Sequence, residues 1–146
     1  LIADQDPDIA IFNYIHEAKG LITQSKKKLF LVFKNWCQQS VIYKRSMLEQ
    51  QRPIFNLKYK IQADHDLHLR IMNTVHNYKI LKVSEPAILF GSSGLSSKYI
   101  DGNFKNDMHN IVATQLGTGY GYISRLRGAI GSTLRVFYRE KMNLIK

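Results

Sequence analysis

The alternation of apolar and polar positions breaks the chain into short strands and helices. From Leu67 the apolar residues Leu67, Ile71 and Val75 return at four-residue steps with Met72 beside them, the spacing of one buried helical face. The pattern predicts a helix entered at Asp64 and running to about residues 76–77. Before it, residues 8–14 (Asp-Ile-Ala-Ile-Phe-Asn-Tyr) follow Pro7 and are rich in bulky and β-branched side chains, as a strand requires. Residues 16–20 then turn. Residues 39–43 (Gln-Ser-Val-Ile-Tyr) predict a buried strand, and 45–51 a short helix that stops before Pro53. Residues 29–36 are apolar and aromatic, compatible with strand or helix.

After the central helix, residues 78–83 (Tyr-Lys-Ile-Leu-Lys-Val) alternate as a half-buried strand does, and 87–90 (Ala-Ile-Leu-Phe) predict another short strand beyond Glu85-Pro86. Residues 91–97 form a small-residue loop, suited to a hinge or a ligand cover. It lacks the Gly-Lys-Ser/Thr ending of a phosphate-binding loop. Residues 106–116 are expected to be helical, broken at Gly117-Thr118-Gly119. The order of elements predicts an α/β protein.

The chain's 146 residues are 45% apolar and 22% charged, sufficient for one domain with a sizeable core. Lys and Arg number 21 against 11 Asp and Glu, a formal net charge of +10 that favours anionic partners: nucleic acid, sugar nucleotides or an acidic membrane face. A basic cluster, Ser25-Lys26-Lys27-Lys28, reads as a solvated loop or a phosphate contact. The tail from 120 to 146 mixes aromatic and aliphatic residues with Arg125, Arg127, Arg135, Arg139, Lys141 and Lys146. Such a tail lies on an anionic membrane or packs one face on the domain. A single cysteine, Cys37, excludes an intrachain disulfide and fits a reducing compartment. No apolar run reaches the roughly 18 to 20 residues that span a bilayer. The expected location is the cytoplasm, either free in solution or peripheral at the inner face of the cell membrane.

Candidate chemistry gathers at Asp64-His65-Asp66-Leu67-His68. Asp64 at a helix entrance acts as an N-cap worth about 1 kcal/mol, or as a carboxylate aimed into a cleft by the helix behind it. Asp64 and His68 have the i, i+4 spacing of helical zinc ligands, but no Glu follows as in His-Glu-x-x-His, and His16, His76 and His109 show no ligand spacing. No metal site is assigned. Cys37 reads as a packing thiol beside Trp36 rather than a nucleophile. Gln38 and Gln39 enter a buried strand, where their amides either line a site or satisfy a strand end.

The segments 37–46 (Cys-Gln-Gln-Ser-Val-Ile-Tyr-Lys-Arg-Ser), 55–70 (Phe-Asn-Leu-Lys-Tyr-Lys-Ile-Gln-Ala-Asp-His-Asp-Leu-His-Leu-Arg), 78–81, 85–90 and Gly94-Leu95-Ser96 together resemble, in order and separation, the C-terminal half of a family 2 glycosyltransferase of the bacterial polysaccharide type. The resemblance spans about residues 7–97. It implies a partial GT-A fold, a mixed sheet flanked by helices, with residues 1–100 as the acceptor-side half and 101–146 as a basic helical tail. It implies transfer of a sugar from a nucleotide-sugar donor to a glycan or lipid-linked acceptor, with inversion. Asp64 falls where the family places its catalytic base. Gln38, Gln39, Asp66, Arg70, Gly94 and Ser96 fall at substrate-side positions, Arg70 serving either a substrate or a structural ion pair.

The chain departs from the family at Gln38, which replaces a histidine, and at Ser93, which replaces a loop glycine. The nucleotide-binding half is missing. Asp4-Gln5-Asp6 precedes its strand and is a lookalike of the metal-binding Asp-x-Asp. The divalent cation implied for the complete enzyme, Mg²⁺ or Mn²⁺, would therefore take its ligands from outside this chain, which is expected to be a piece of a longer enzyme, inactive alone. The alternative is a non-catalytic basic module that binds nucleic acid or an anionic membrane surface; the glycosyltransferase reading expects no nucleic-acid partner.

Overall fold

The strand expected at 8–14 forms as β1 (Ile9–His16) and is the spine of a mixed four-stranded sheet. The computed structural model describes residues 5–74 and 78–143, the side chains of Leu95, Ser97 and residues 131–143 excepted. Along one edge, β1 pairs antiparallel with β3 (Val41–Tyr43) through its first half and with β2 (Gly20–Ile22) through its second. Along the other edge it pairs parallel with β4 (Ile80–Phe90).

Two strands were expected where β4 runs unbroken through Pro86. The reason is its place in the sheet. Among the described residues β4 pairs only with β1, so it is an edge strand, where a residue without an N–H is tolerated. The ladder slips where the proline arrives: Phe12 faces Val83 but Asn13 faces Pro86. Asn13 bridges this bulge, its Nδ2 donating to the Ser84 carbonyl at 2.6 Å while its Oδ1 accepts from the Gln24 N–H at 3.1 Å.

The segment left open at 29–36 resolves into helix α1 (Lys28–Phe33) followed by Trp36, whose Nε1 donates to the Ser25 carbonyl at 2.8 Å. The strand expected at 39–43 keeps only its second half. Residues Gln38–Ser40 form a 3₁₀ turn instead, because Ser40 Oγ donates back to the Cys37 carbonyl at 2.9 Å and accepts from Gln24 Nε2 at 2.8 Å, local bonds that compete with the ladder. Helix α2 (Arg45–Gln50) forms as expected.

Helix α3 (Ala63–Asn73) is the predicted central helix. Leu67, Ile71 and Met72 are buried as their spacing implied, whereas Val75 and the expected end at 76–77 lie outside the described residues. The burial is wider than one face: every residue from His65 to Leu69 is buried. Helix α1 and helix α5 (Gly102–Leu116) both pack on α3, so it has little solvent side to spare. The core joins Ile9 and Ile11 of β1, Leu31 of α1, Trp36, Leu67 and Ile71 of α3, and Phe104 and Val112 of α5.

Asp64 is the second residue of α3, not its cap. Gln62 holds the cap position without a side-chain bond. The carboxylate that anchors this entrance comes from Asp101, which caps α5 by accepting from the Phe104 N–H at 3.1 Å and also accepts from the N–H groups of Ile61 and Gln62 at 2.9 and 3.2 Å. Burial alone would push the Asp101 carboxyl up; these N–H groups, with that of Asn103, outweigh it and hold the carboxyl below the ordinary aspartate value. Its stabilisation is therefore complete above that ordinary value and drains away as the pH falls through the lowered one. Asp101→Ala is expected to cost about 1–3 kcal/mol in urea unfolding at neutral pH and to flatten the acid limb of the stability curve.

The small-residue segment turns into the short helix α4 (Leu95–Lys98). Helix α5 starts earlier than the expected 106 and breaks where glycine predicted, at Gly117 with φ 109°. Helix α6 (Thr118–Asn143) folds back on α5. Gly121 permits the contact, since a Cβ there would stand 2.5 Å from Ala113 Cβ.

Candidate active-site cleft

A cleft of about 830 Å³ opens between the C-terminal ends of β1 and β4, the 35–39 segment and the entrance of α3. Asp64, Gln38, Gln39, Gly94 and Ser96 all line it. Five of the seven residues singled out from sequence thus meet at one surface. Tyr14, His16 and Phe90 add an aromatic wall, with ring centroids 5.9 Å apart for Tyr14 and Phe90 and 5.8 Å for His16 and Phe90. Lys19 and Lys60 stand exposed on the lining.

Asp66 and Arg70 do not line the cleft. Arg70 Nε donates to Asp66 Oδ2 at 3.0 Å, while its Nη1 and Nη2 donate to the carbonyls of Gln51 and Ile54 at 3.1 and 2.7 Å. The pair is a buried tie between α3 and the segment after α2, so of the two roles open to Arg70 the geometry supports the structural one.

Asp64 is half-buried, and its Oδ1 accepts from the His65 N–H at 2.8 Å. Burial raises its pKa above the carboxylate norm, against the hydrogen bonds of His65 and of the Asn35 side chain, which lower it. Asn35 is the first link of a polar chain. Its Oδ1 lies 2.7 Å from His68 Nδ1, and His68 Nε2 is hydrogen-bonded to the Tyr43 hydroxyl. The same hydroxyl stands 3.1 Å from Gln38 Oε1. Burial drives the His68 pKa far down, which favours the neutral ring. Burial and the Asp64 charge together push the Tyr43 hydroxyl up. Asp64 and Gln38, both on the cleft lining, are therefore joined through Asn35, His68 and Tyr43.

This chain was not visible in the sequence. Asn35 and His68 are 33 residues apart, Tyr43 and His68 are 25, and no periodicity connects them. His65 is also internal: its Nε2–H donates to the Leu31 carbonyl at 2.8 Å, and burial lowers its pKa to about 4. Neither histidine is free to bind a metal. Among the described residues no three His, Cys, Asp or Glu side chains come together as a metal would need. The cleft lining carries one carboxylate, Asp64, so its residues do not make a divalent-cation site. Cys37 reaches the lining too, with Sγ 3.2 Å from Gln39 Oε1 and its pKa raised by burial, which disfavours the thiolate.

Comparison with protein-family models, with curated proteins and with solved structures finds no match.

Proposed function

We propose that the chain is the acceptor-side half of a GT-A glycosyltransferase of the family 2 type, which transfers a sugar from a nucleotide-sugar to a glycan or lipid-linked acceptor with inversion. The observation that carries this reading is the cleft, which draws Gln38, Gln39, Asp64, Gly94 and Ser96 from three separate stretches of sequence to one surface. In such a transfer the acceptor hydroxyl oxygen bonds to the anomeric carbon, the bond from that carbon to the diphosphate breaks, and the hydroxyl proton goes to a base. Asp64 suits that last role. It is a half-buried carboxylate on a rigid helix, with a pKa raised toward the working range of a general base.

The aromatic wall of Tyr14, His16 and Phe90 suits the apolar face of a sugar ring, and the amides of Gln38 and Gln39 suit its hydroxyls. Exposed Gly91, Ser92, Ser93 and Gly94 leave one wall free to adapt to an acceptor. The reading is tested by assaying the full-length gene product against a panel of nucleotide-sugars for release of nucleoside diphosphate. Release that depends on a glycan or lipid-linked acceptor is expected; release with none of the pairs, or without need of any acceptor, would overturn the proposal.

A further inference from the structure

No described residue of α1 or α6 lines the cleft. Arg127 Nη1 donates to the Val32 carbonyl at 2.7 Å, and its guanidinium sits 5.7 Å from the centre of the Phe33 ring. These contacts tie α6 to α1. Leu29 and Phe33, one helical turn apart on α1, are exposed. So are Tyr122, Ile123, Leu126 and Ile130 of α6, which recur at helical spacing and share one face; Leu126 and Ile130 are 62% and 59% accessible. Exposed aliphatic residues gathered in this way mark an interaction site rather than a solvated surface.

Along the two segments that form this face, residues 18–48 and 108–139, every charged side chain is basic. No acid occurs between Glu17 and Glu49 or between Asp107 and Glu140, whereas Lys26, Lys27, Lys28 and Lys34 border α1, and Arg125 and Arg127 flank the α6 stripe. At the start of α6 a hollow of about 200 Å³ against α5, lined by His109, Asn110, Thr118, Tyr122 and Arg125, adds polar and cationic groups beside the stripe. We infer that the α1/α6 face docks on an anionic lipid bilayer, its aliphatic residues entering the headgroup boundary and its lysines and arginines meeting the phosphates. Among the described residues no helix is long and apolar enough to cross a membrane; the contact is that of an amphipathic helix lying in the interface plane.

Two other occupants fit less well. Nucleic acid would satisfy the charge but offers nothing to exposed Leu29, Ile123, Leu126 and Ile130. A second copy of the face would bring like charges together. The sequence had offered the tail as a membrane element or a packing element; the structure joins α1 and its lysine cluster to it.

The test is co-sedimentation of the chain with vesicles of phosphatidylcholine alone and of phosphatidylcholine mixed with phosphatidylglycerol. Binding is expected to the mixed vesicles only and to weaken as salt is raised. The Leu126→Ser/Ile130→Ser double variant changes two exposed residues and is expected to keep its circular dichroism while losing about tenfold or more in vesicle affinity. Replacing Lys26, Lys27 and Lys28 by glutamine is expected to weaken binding to the mixed vesicles further. Absence of vesicle binding, or binding that the double variant leaves unchanged, overturns the inference. So does lipid-independent self-association that the double variant abolishes, which would make the face an interface between copies. Oligonucleotide binding with a steep salt slope and no response to the double variant, in place of vesicle binding, also overturns it.

Discussion

If the proposed sugar transfer is right, Asp64→Asn is expected to slow it by about 10²–10⁴-fold while leaving donor binding nearly intact. The substitution is close to isosteric. The asparagine oxygen still accepts from the His65 N–H, which holds the side chain at the start of α3, so loss of rate would not reflect loss of fold. What disappears is the ability to take a proton. Isothermal titration of the donor, run beside steady-state rates, separates the two effects: a KM for donor that holds while kcat falls places Asp64 in the chemical step. The pH profile gives a second handle. Because burial raises the Asp64 pKa, the acid limb of the rate should lie above the ordinary carboxylate range, with rate growing as pH rises through it. Asn35→Ala removes a hydrogen bond that favours the charged form, and should move that limb to still higher pH. Rates unchanged in Asp64→Asn would end the assignment of a catalytic base to this residue.

Local periodicity explains what could be read in advance. Helix α3 was legible because Leu67, Ile71 and Met72 bury at helical spacing, and the break at Gly117 because only a residue without Cβ sits comfortably at φ 109°. What escaped depends on partners far along the chain. Pro86 argued for a gap between two strands, yet it lies in one, since nothing in the local sequence says that β4 is an edge. Asp64 was a candidate cap because a cap is a local idea; the carboxylate that secures the entrance, Asp101, lies 40 residues from Ile61. The Asn35–His68–Tyr43 chain is invisible for the same reason. Of the residues the ordered motifs singled out, Asp64 and four others line one cleft, whereas Asp66 and Arg70 pair with each other away from it.

Arg70→Met is expected to destabilise the chain by about 3–5 kcal/mol, the largest stability effect anticipated here. The Asp66 side chain is 8% exposed and that of Arg70 20%, so the pair cannot fall back on water. Removing the guanidinium leaves a buried carboxylate without its cation and deprives two carbonyls, those of Gln51 and Ile54, of their donors. Arg70→Lys should fare little better, because one ammonium cannot present the planar fork that reaches Asp66, Gln51 and Ile54 at once. Adding Asp66→Leu to Arg70→Met removes the stranded charge and should recover a large part of the loss, which urea unfolding of the single and double variants measures directly. A substrate contact predicts a different outcome: Arg70→Met would then fold with nearly unchanged stability and lose activity alone. The structural role also has a consequence for the cleft. The carbonyls Arg70 holds belong to the 51–54 segment, which leads into the stretch ending at Gln62 and Asp64, so the ion pair steadies the approach to Asp64 without lining the cleft.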